Sequence, residues 1–332
     1  MGQQKHDNLK NNHAPRKQTA GKIAAWAGIT ALAAAAVSGW VEFVSRAASN
    51  PTSKLVRREE NKKEAAYPRE NGAVYREAKD WLYAQSSQTV SILSHDGLKL
   101  CGHWFETPDA KRTLVLVHGW HSHWYKDFGP FARFFRSCGC NMLLIEQRCH
   151  DSSEGKYIGM GTLERYDVLR WARFAAEKTP DLPVYLCGIS MGAASVMMAS
   201  DLPLPPSVRG IVADCGFSSP QDIVKKIIRE ETGMPSRLTM QMVNRKMKRC
   251  ANFRYDEATA LYSVKRTKIP ILFVHGTADD FVPSYMSELC YAACNSEKEL
   301  FLVPGAGHGE AFLCDSTGYQ QKLLDFFAKH DQ

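Results

Sequence analysis

Six short apolar runs, at residues 113–117, 142–145, 184–189, 208–213, 271–274 and 300–303, constrain the fold more than any other feature of the chain. Runs of this length with no polar alternation are strands buried on both faces. Between them, apolar residues recur at helical spacing over about 127–137, 161–178, 191–200, 219–250, 283–294 and 319–329. Strands alternating with helices predict an α/β domain with a mostly parallel central sheet and helices on both faces. Ahead of this array, Val90, Ile92, Leu98, Leu100 and Trp104 flank His95-Asp96-Gly97, which predicts a tight antiparallel hairpin.

Three motifs sit where that array places its strand ends. Gly188-Ile189-Ser190-Met191-Gly192 follows one strand and opens a helix rich in Ala and Met. Glycines on both sides of a serine permit a turn too sharp for side chains, so the hydroxyl stands clear of the backbone as a nucleophile. The helix that follows points its positive end at any oxyanion formed there. The stretch after residue 274 reads His275-Gly276-Thr277-Ala278-Asp279-Asp280-Phe281-Val282-Pro283. Asp279 is the candidate acid, and Asp280 is assigned to capping the next helix. Gly305-Ala306-Gly307-His308-Gly309 places His308 in a loop after the last strand, completing the chain order Ser, Asp, His. Such an acid orients the imidazole and stabilises the imidazolium formed when it takes the serine proton.

His118-Gly119-Trp120 follows the first strand of the array. In a fold of this kind that loop contributes a backbone N–H to the oxyanion hole, so Trp120 and Met191 are the candidate donors. His118, His121 and His123 sit too close to the strand end to be read as a zinc cluster, and His118 is assigned to stabilising the loop.

These segments resemble the bacterial α/β-hydrolase superfamily over about residues 88–330. The closest likeness is to the esterase and prolyl-oligopeptidase-like or serine-aminopeptidase-like group, several members of which carry an N-terminal membrane segment. Glu146-Gln147-Arg148-Cys149-His150-Asp151-Ser152-Ser153-Glu154-Gly155 departs at Glu146, Cys149 and Asp151 from the D-x-R-G-x-G-x-S loop of many relatives. The resemblance implies a hydrolase that needs no external cofactor. Residues 218–260 occupy the place where such enzymes insert a lid. Met234, Leu238, Met242, Val243 and Met247 recur there at helical spacing, as a helix packed on the core requires. Met242 and Met247 are also candidates for an adaptable wall against an acyl chain.

The formal net charge is +7, and residues 1–22 hold five basic residues against Asp7, a net +4 that leaves +3 for the other residues. No basic block interleaved with aromatics remains to bind nucleic acid. Residues 23–41 are uncharged and Ala-rich, with Trp26 and Trp40 near the two ends. As a helix this stretch is about 28 Å long, near the thickness of a bilayer core. The expected organisation is a basic tail (1–22), a transmembrane anchor (23–44), a charged linker with a helix at about 72–83 (45–87), and the hydrolase domain (88–330). Basic residues flank the anchor on both sides, so they do not set its orientation. A single anchor with a short tail favours an outward-facing domain, whereas ten cysteines favour a reducing compartment. Cys138/Cys140 and Cys290/Cys294 lack partners at zinc spacing, so no metal is expected.

The sequence therefore predicts an α/β-hydrolase fold with a short helical lid, acting on a small acyl substrate through Ser190, Asp279 and His308, with an ester favoured. Two alternatives stand beside it: a peptidase for short peptides, and a non-catalytic membrane-bound binding protein on the same fold. The sequence names no protein partner.

Overall fold

The computed structural model describes residues 69–233 and 236–332, besides Gly39. One eight-stranded sheet runs through them in the order β1-β2-β4-β3-β5-β6-β7-β8. The strands are β1 (Gln88–Leu93), β2 (Lys99–Phe105), β3 (Arg112–Val117), β4 (Cys140–Ile145), β5 (Val184–Ile189), β6 (Val208–Asp214), β7 (Ile271–Gly276) and β8 (Lys298–Val303). β1 pairs antiparallel with β2 and β2 with β4, while every pairing from β4 to β8 is parallel. The hairpin turns where expected, with Gly97 at φ +84°. β3, β4, β5 and β7 are buried at every position, as continuous apolar runs require of a sheet covered on both faces.

Helices between the strands include α2 (Trp124–Ser137), α3 (Glu164–Lys178), α4 (Met191–Ala199) and α8 (Tyr285–Ala293), with α10 (Ser316–His330) after the last strand and α1 (Arg69–Ala84) ahead of the sheet. Phe128, Phe131 and Phe135 of α2 form one core cluster with Phe312, Tyr319 and Phe327 near the C-terminus. α1 packs on α2 through buried Ala78 and Leu82, and a Cβ on Gly129 would lie 3.2 Å from that of Ala78. α1 begins three residues before its expected start and ends one residue after its expected end. The expected tail 1–22, the expected anchor 23–44 apart from Gly39, and residues 45–68 of the expected 45–87 segment lie outside the described residues. Among the described residues no helix is long and apolar enough to cross a membrane.

The long helical stretch expected at 219–250 is two helices, α5 (Pro220–Thr232) and α6 (Ser236–Ala251). Ser219 caps α5 by accepting the Asp222 N–H, with Pro220 in the first turn. Gly233 ends it at φ +65°, a left-handed conformation that suits glycine. α6 turns Met240, Val243 and Met247 into the core and leaves Leu238 exposed. Two further short helices that apolar spacing does not disclose are α7 (Ala260–Ser263) and α9 (Ala311–Cys314).

Candidate active site

Four loops at the C-terminal ends of parallel strands converge on Ser190. β5 ends at Ile189 and α4 begins at Met191, so Ser190 alone makes the turn, at φ +56° and ψ −115°. A non-glycine residue holds such a conformation only when its surroundings impose it. Here a Cβ on Gly188 would lie 2.3 Å from the Gly192 carbonyl, so only hydrogen fits at that flank. The Ser190 N–H donates to Asp214 O at the end of β6, which ties the turn to the neighbouring strand.

The structure brings the three expected residues into one hydrogen-bonded chain. His308 Nε2 stands 2.9 Å from Ser190 Oγ, and its Nδ1 stands 2.7 Å from Asp279 Oδ2. Asp279 Oδ1 accepts the N–H groups of Phe281 and Val282. Burial alone would raise the Asp279 pKa, but hydrogen bonds from His275 and His308 hold it down at about 2. The carboxylate is therefore ionised at neutral pH. Phe281 sets its ring edge-on to His308, with centroids 5.0 Å apart.

Asp280 does not cap a helix. It is exposed, its backbone O accepts from Lys226 Nζ, and Ser284 stands at the N-cap of α8, its Oγ donating to Glu288 Oε1 rather than capping a backbone N–H. The reason is position: the helix begins at Tyr285 with Ser284 at its N-cap, four residues beyond Asp280. His275 is fully buried between Ser287 Oγ and Val282 O, where it supports the acid loop.

The loop after β3 is braced from several directions. His118 is buried, its Nε2 accepts the Gln147 N–H at 3.1 Å, and its Nδ1 faces Gly119 O at 2.8 Å. His150 Nε2 accepts the His121 N–H at 3.1 Å, and its Nδ1 faces Arg148 O. Burial pushes His118 down to about 4 and His150 down to about 3, so both rings are neutral and each keeps an accepting nitrogen. His123 instead pairs with Asp151 at 2.7 Å. The rings of His118 and His123 thus point to separate partners. The Gln147 amide also donates to His118 O.

The segment 146–155, whose wording leaves its role open, is the brace that holds this loop. Arg148 is buried and forks onto Asp167 (2.6 and 2.8 Å) and Asp96 (both 3.1 Å), joining the segment to α3 and to the hairpin. Glu146 accepts from His103 and from the Ser152 N–H.

Among the described residues, two groups could offer three metal-ligand atoms within 4.8 Å: Cys215, Asp279 and His308, and His95, Asp96 and Asp167. The first is built on the acid and base of the site. In the second, Asp96 and Asp167 already neutralise Arg148. All ten cysteines are free. Met191 is fully buried at the start of α4 and Trp120 is half-buried in the loop. Met247 is fully buried while Met242 is only partly so, so Met247 is a core residue rather than an open wall.

The chain is similar in sequence and fold to known proteins. A family model described as serine aminopeptidase, S33, matches residues 108–265. The chain is 22% identical to YqkD of Bacillus subtilis (strain 168) over 246 residues, which cover 74% of this chain and 80% of that one. Its fold is similar to that of the Pyrococcus furiosus esterase Pf2001, with a TM-score of 0.60 at 21% identity, covering 75% of this chain and 94% of that one. It is also similar to the Pyrococcus horikoshii acylaminoacyl peptidase, with a TM-score of 0.54 at 16% identity, covering 75% of this chain and 43% of that one. The fold is that of the α/β-hydrolases, and the family match supports a hydrolase.

Proposed function

We propose that this α/β-hydrolase is a serine hydrolase that cleaves a carboxylic ester, thioester or amide through an acyl-Ser190 intermediate, with an ester preferred. The observation that carries the reading is the unbroken chain from Ser190 Oγ through His308 to Asp279, set on a strained turn. In the first half-reaction Ser190 Oγ bonds to the substrate carbonyl carbon as its proton passes to His308 Nε2. Asp279 holds the Nδ1–H and stabilises the imidazolium. The bond from the carbonyl carbon to the leaving group breaks, and His308 returns the proton to that group. Water then repeats the sequence on the acyl ester, releasing the acid and restoring Ser190.

The Trp120 and Met191 N–H groups serve as oxyanion donors in this reading. Trp120 N–H donates to none of the described hydrogen bonds, and an N–H in the first turn of α4 has no intrahelical acceptor. The same triad serves amide cleavage, and the serine aminopeptidase match and the likeness to an acylaminoacyl peptidase favour a short-peptide peptidase as the second reading. Residues 23–44, uncharged until Glu42, anchor the protein to a membrane in this proposal, and the short tail before a single anchor favours an outward-facing domain.

The test is covalent labelling with a fluorophosphonate probe, followed by turnover of p-nitrophenyl esters and aminoacyl anilides. Wild type labels and prefers the esters; Ser190→Ala and His308→Ala do not label. Asp279→Asn loses on the order of 10⁴-fold in kcat, as an acid that sets the tautomer does. A folded wild type that never labels overturns the reading in favour of a binding protein.

A further inference from the structure

Three consecutive backbone N–H groups in the loop after β3 have different fates. The Gly119 N–H donates to Asp127 Oδ2 at 2.6 Å. The His121 N–H donates to His150 Nε2 at 3.1 Å. Between them, the Trp120 N–H donates to none of the described hydrogen bonds. Peptide planes are rigid, so fixing the amides on either side of residue 120 fixes the direction of the one between. The loop carries further ties at the same point: Ser122 Oγ donates to Asp127 Oδ1 at 2.5 Å, and the Ser122 N–H closes a turn on Gly119 O.

Asp127 belongs to the first turn of α2 and reaches back across the loop towards the nucleophile. A Cβ on Gly119 would lie 3.3 Å from Asp127 Oδ2 and 3.3 Å from Ser190 Cβ, so the carboxylate and the serine flank this one glycine. Burial raises the Asp127 pKa, while the Ser122 hydroxyl and Gly119 N–H oppose that shift by bonding the ionised form. A partly buried carboxylate spent on two donors of one loop is costly unless the loop's geometry matters.

We propose that Asp127 and His150 are positioning residues that clamp the loop at Gly119 and His121 and so leave the Trp120 N–H as the donor aimed at the acyl oxygen. The proposal rests on the serine reading of the site and adds two residues to it. Neither touches substrate. Asp127 supplies the rigid side of the clamp because α2 is packed into the core, and His150 supplies the other through the 146–155 segment.

The test measures p-nitrophenyl butyrate hydrolysis by full-length wild type, Asp127→Asn, Asp127→Glu and Asp127→Ala, with Ser190→Ala as the control. Losing one aimed oxyanion donor costs about 10² to 10³-fold in kcat, so Asp127→Ala and Asp127→Glu are expected to fall by about 10²-fold with KM little changed. Asp127→Asn keeps an accepting oxygen for the Gly119 N–H and is expected to stay within about tenfold of wild type in kcat. Asp127→Glu retains the charge but displaces the acceptor, so it carries the test if Asp127→Ala does not fold. Full kcat in Asp127→Glu, a loss confined to KM, or equal losses in Asp127→Asn and Asp127→Glu overturns the proposal.

Amide hydrogen exchange of the segment around residues 118–122 separates this claim from the serine reading. Faster exchange in Asp127→Glu supports the clamp, and unchanged exchange overturns it. Turnover that survives in Ser190→Ala overturns the serine reading instead, and the exchange result then decides the clamp alone.

Discussion

Gly192 and Val117 meet backbone to backbone: a Cβ on Gly192 would stand 1.9 Å from the Val117 carbonyl oxygen. No flexible side chain is available to yield there, so either α4 or β3 would have to move. Gly192→Ala is expected to destabilise the protein by about 1–3 kcal/mol or more and to abolish probe labelling. Denaturant unfolding and labelling at matched folded fraction check this; a stable, fully labelled variant refutes it.

Arg148 is buried with Asp167 and shared with the more exposed Asp96. Replacing it with Met leaves the Asp167 carboxylate buried without its counter-charge, a change that typically costs about 3–5 kcal/mol. Urea denaturation of Arg148→Met should show that loss. Because the 146–155 segment carries His150, activity should also fall in the fraction that remains folded.

Met247 is fully buried in α6, whereas Met242 is half-buried. Met247→Ala is expected to lower stability by about 2–5 kcal/mol, the usual range for emptying a packed methionine site. The preference across a series of acyl chain lengths should not move with it. A chain-length shift at unchanged stability would place Met247 in contact with substrate.

His150 has a depressed pKa in the folded protein because burial disfavours its charged form. The unfolded chain therefore takes up the proton first, near pH 6.5, and the contribution of neutral His150 is present above that pH. It is lost as pH falls from about 6.5 towards 3. Buried Asp167 and Asp214, both pushed up to about 6, titrate in the opposite sense and mask the effect in wild type alone. The stability difference between wild type and His150→Asn isolates it. That difference should shrink by up to about 1.4 kcal/mol per pH unit below pH 6. A gap that stays constant from pH 7 to pH 5 contradicts the assignment.

The parts of this molecule that sequence discloses are those whose causes are local. Ser190 is legible because its strand, its glycines and its helix lie within a few residues of it. β3, β4, β5 and β7 are legible because burial on both faces leaves no polar alternation. The clamp is not: Asp127 is one acidic residue in the first turn of an amphipathic helix, and nothing local tells a carboxylate facing Gly119 from one facing water. The Arg148 fork spans 19 residues to Asp167 and 52 to Asp96, so only the folded chain shows it. The break after α5 did leave a local mark, since Gly233 is followed two residues later by Pro235, a common way to end a helix. Asp280 misleads for a further reason, because the helix it is expected to cap starts only at Tyr285, with Ser284 at the N-cap.

The proposed base, His308, and the proposed nucleophile, Ser190, lie 118 residues apart in the chain. Synthesis from the N-terminus therefore completes the strand and helix around Ser190 long before His308 leaves the ribosome. A nascent chain held at that stage carries a serine with no proton acceptor, as inert as any surface hydroxyl. Under the proposed mechanism hydrolytic competence arrives only with the last strand and the loop beyond it, so a ribosome stalled earlier displays a finished elbow that is chemically silent.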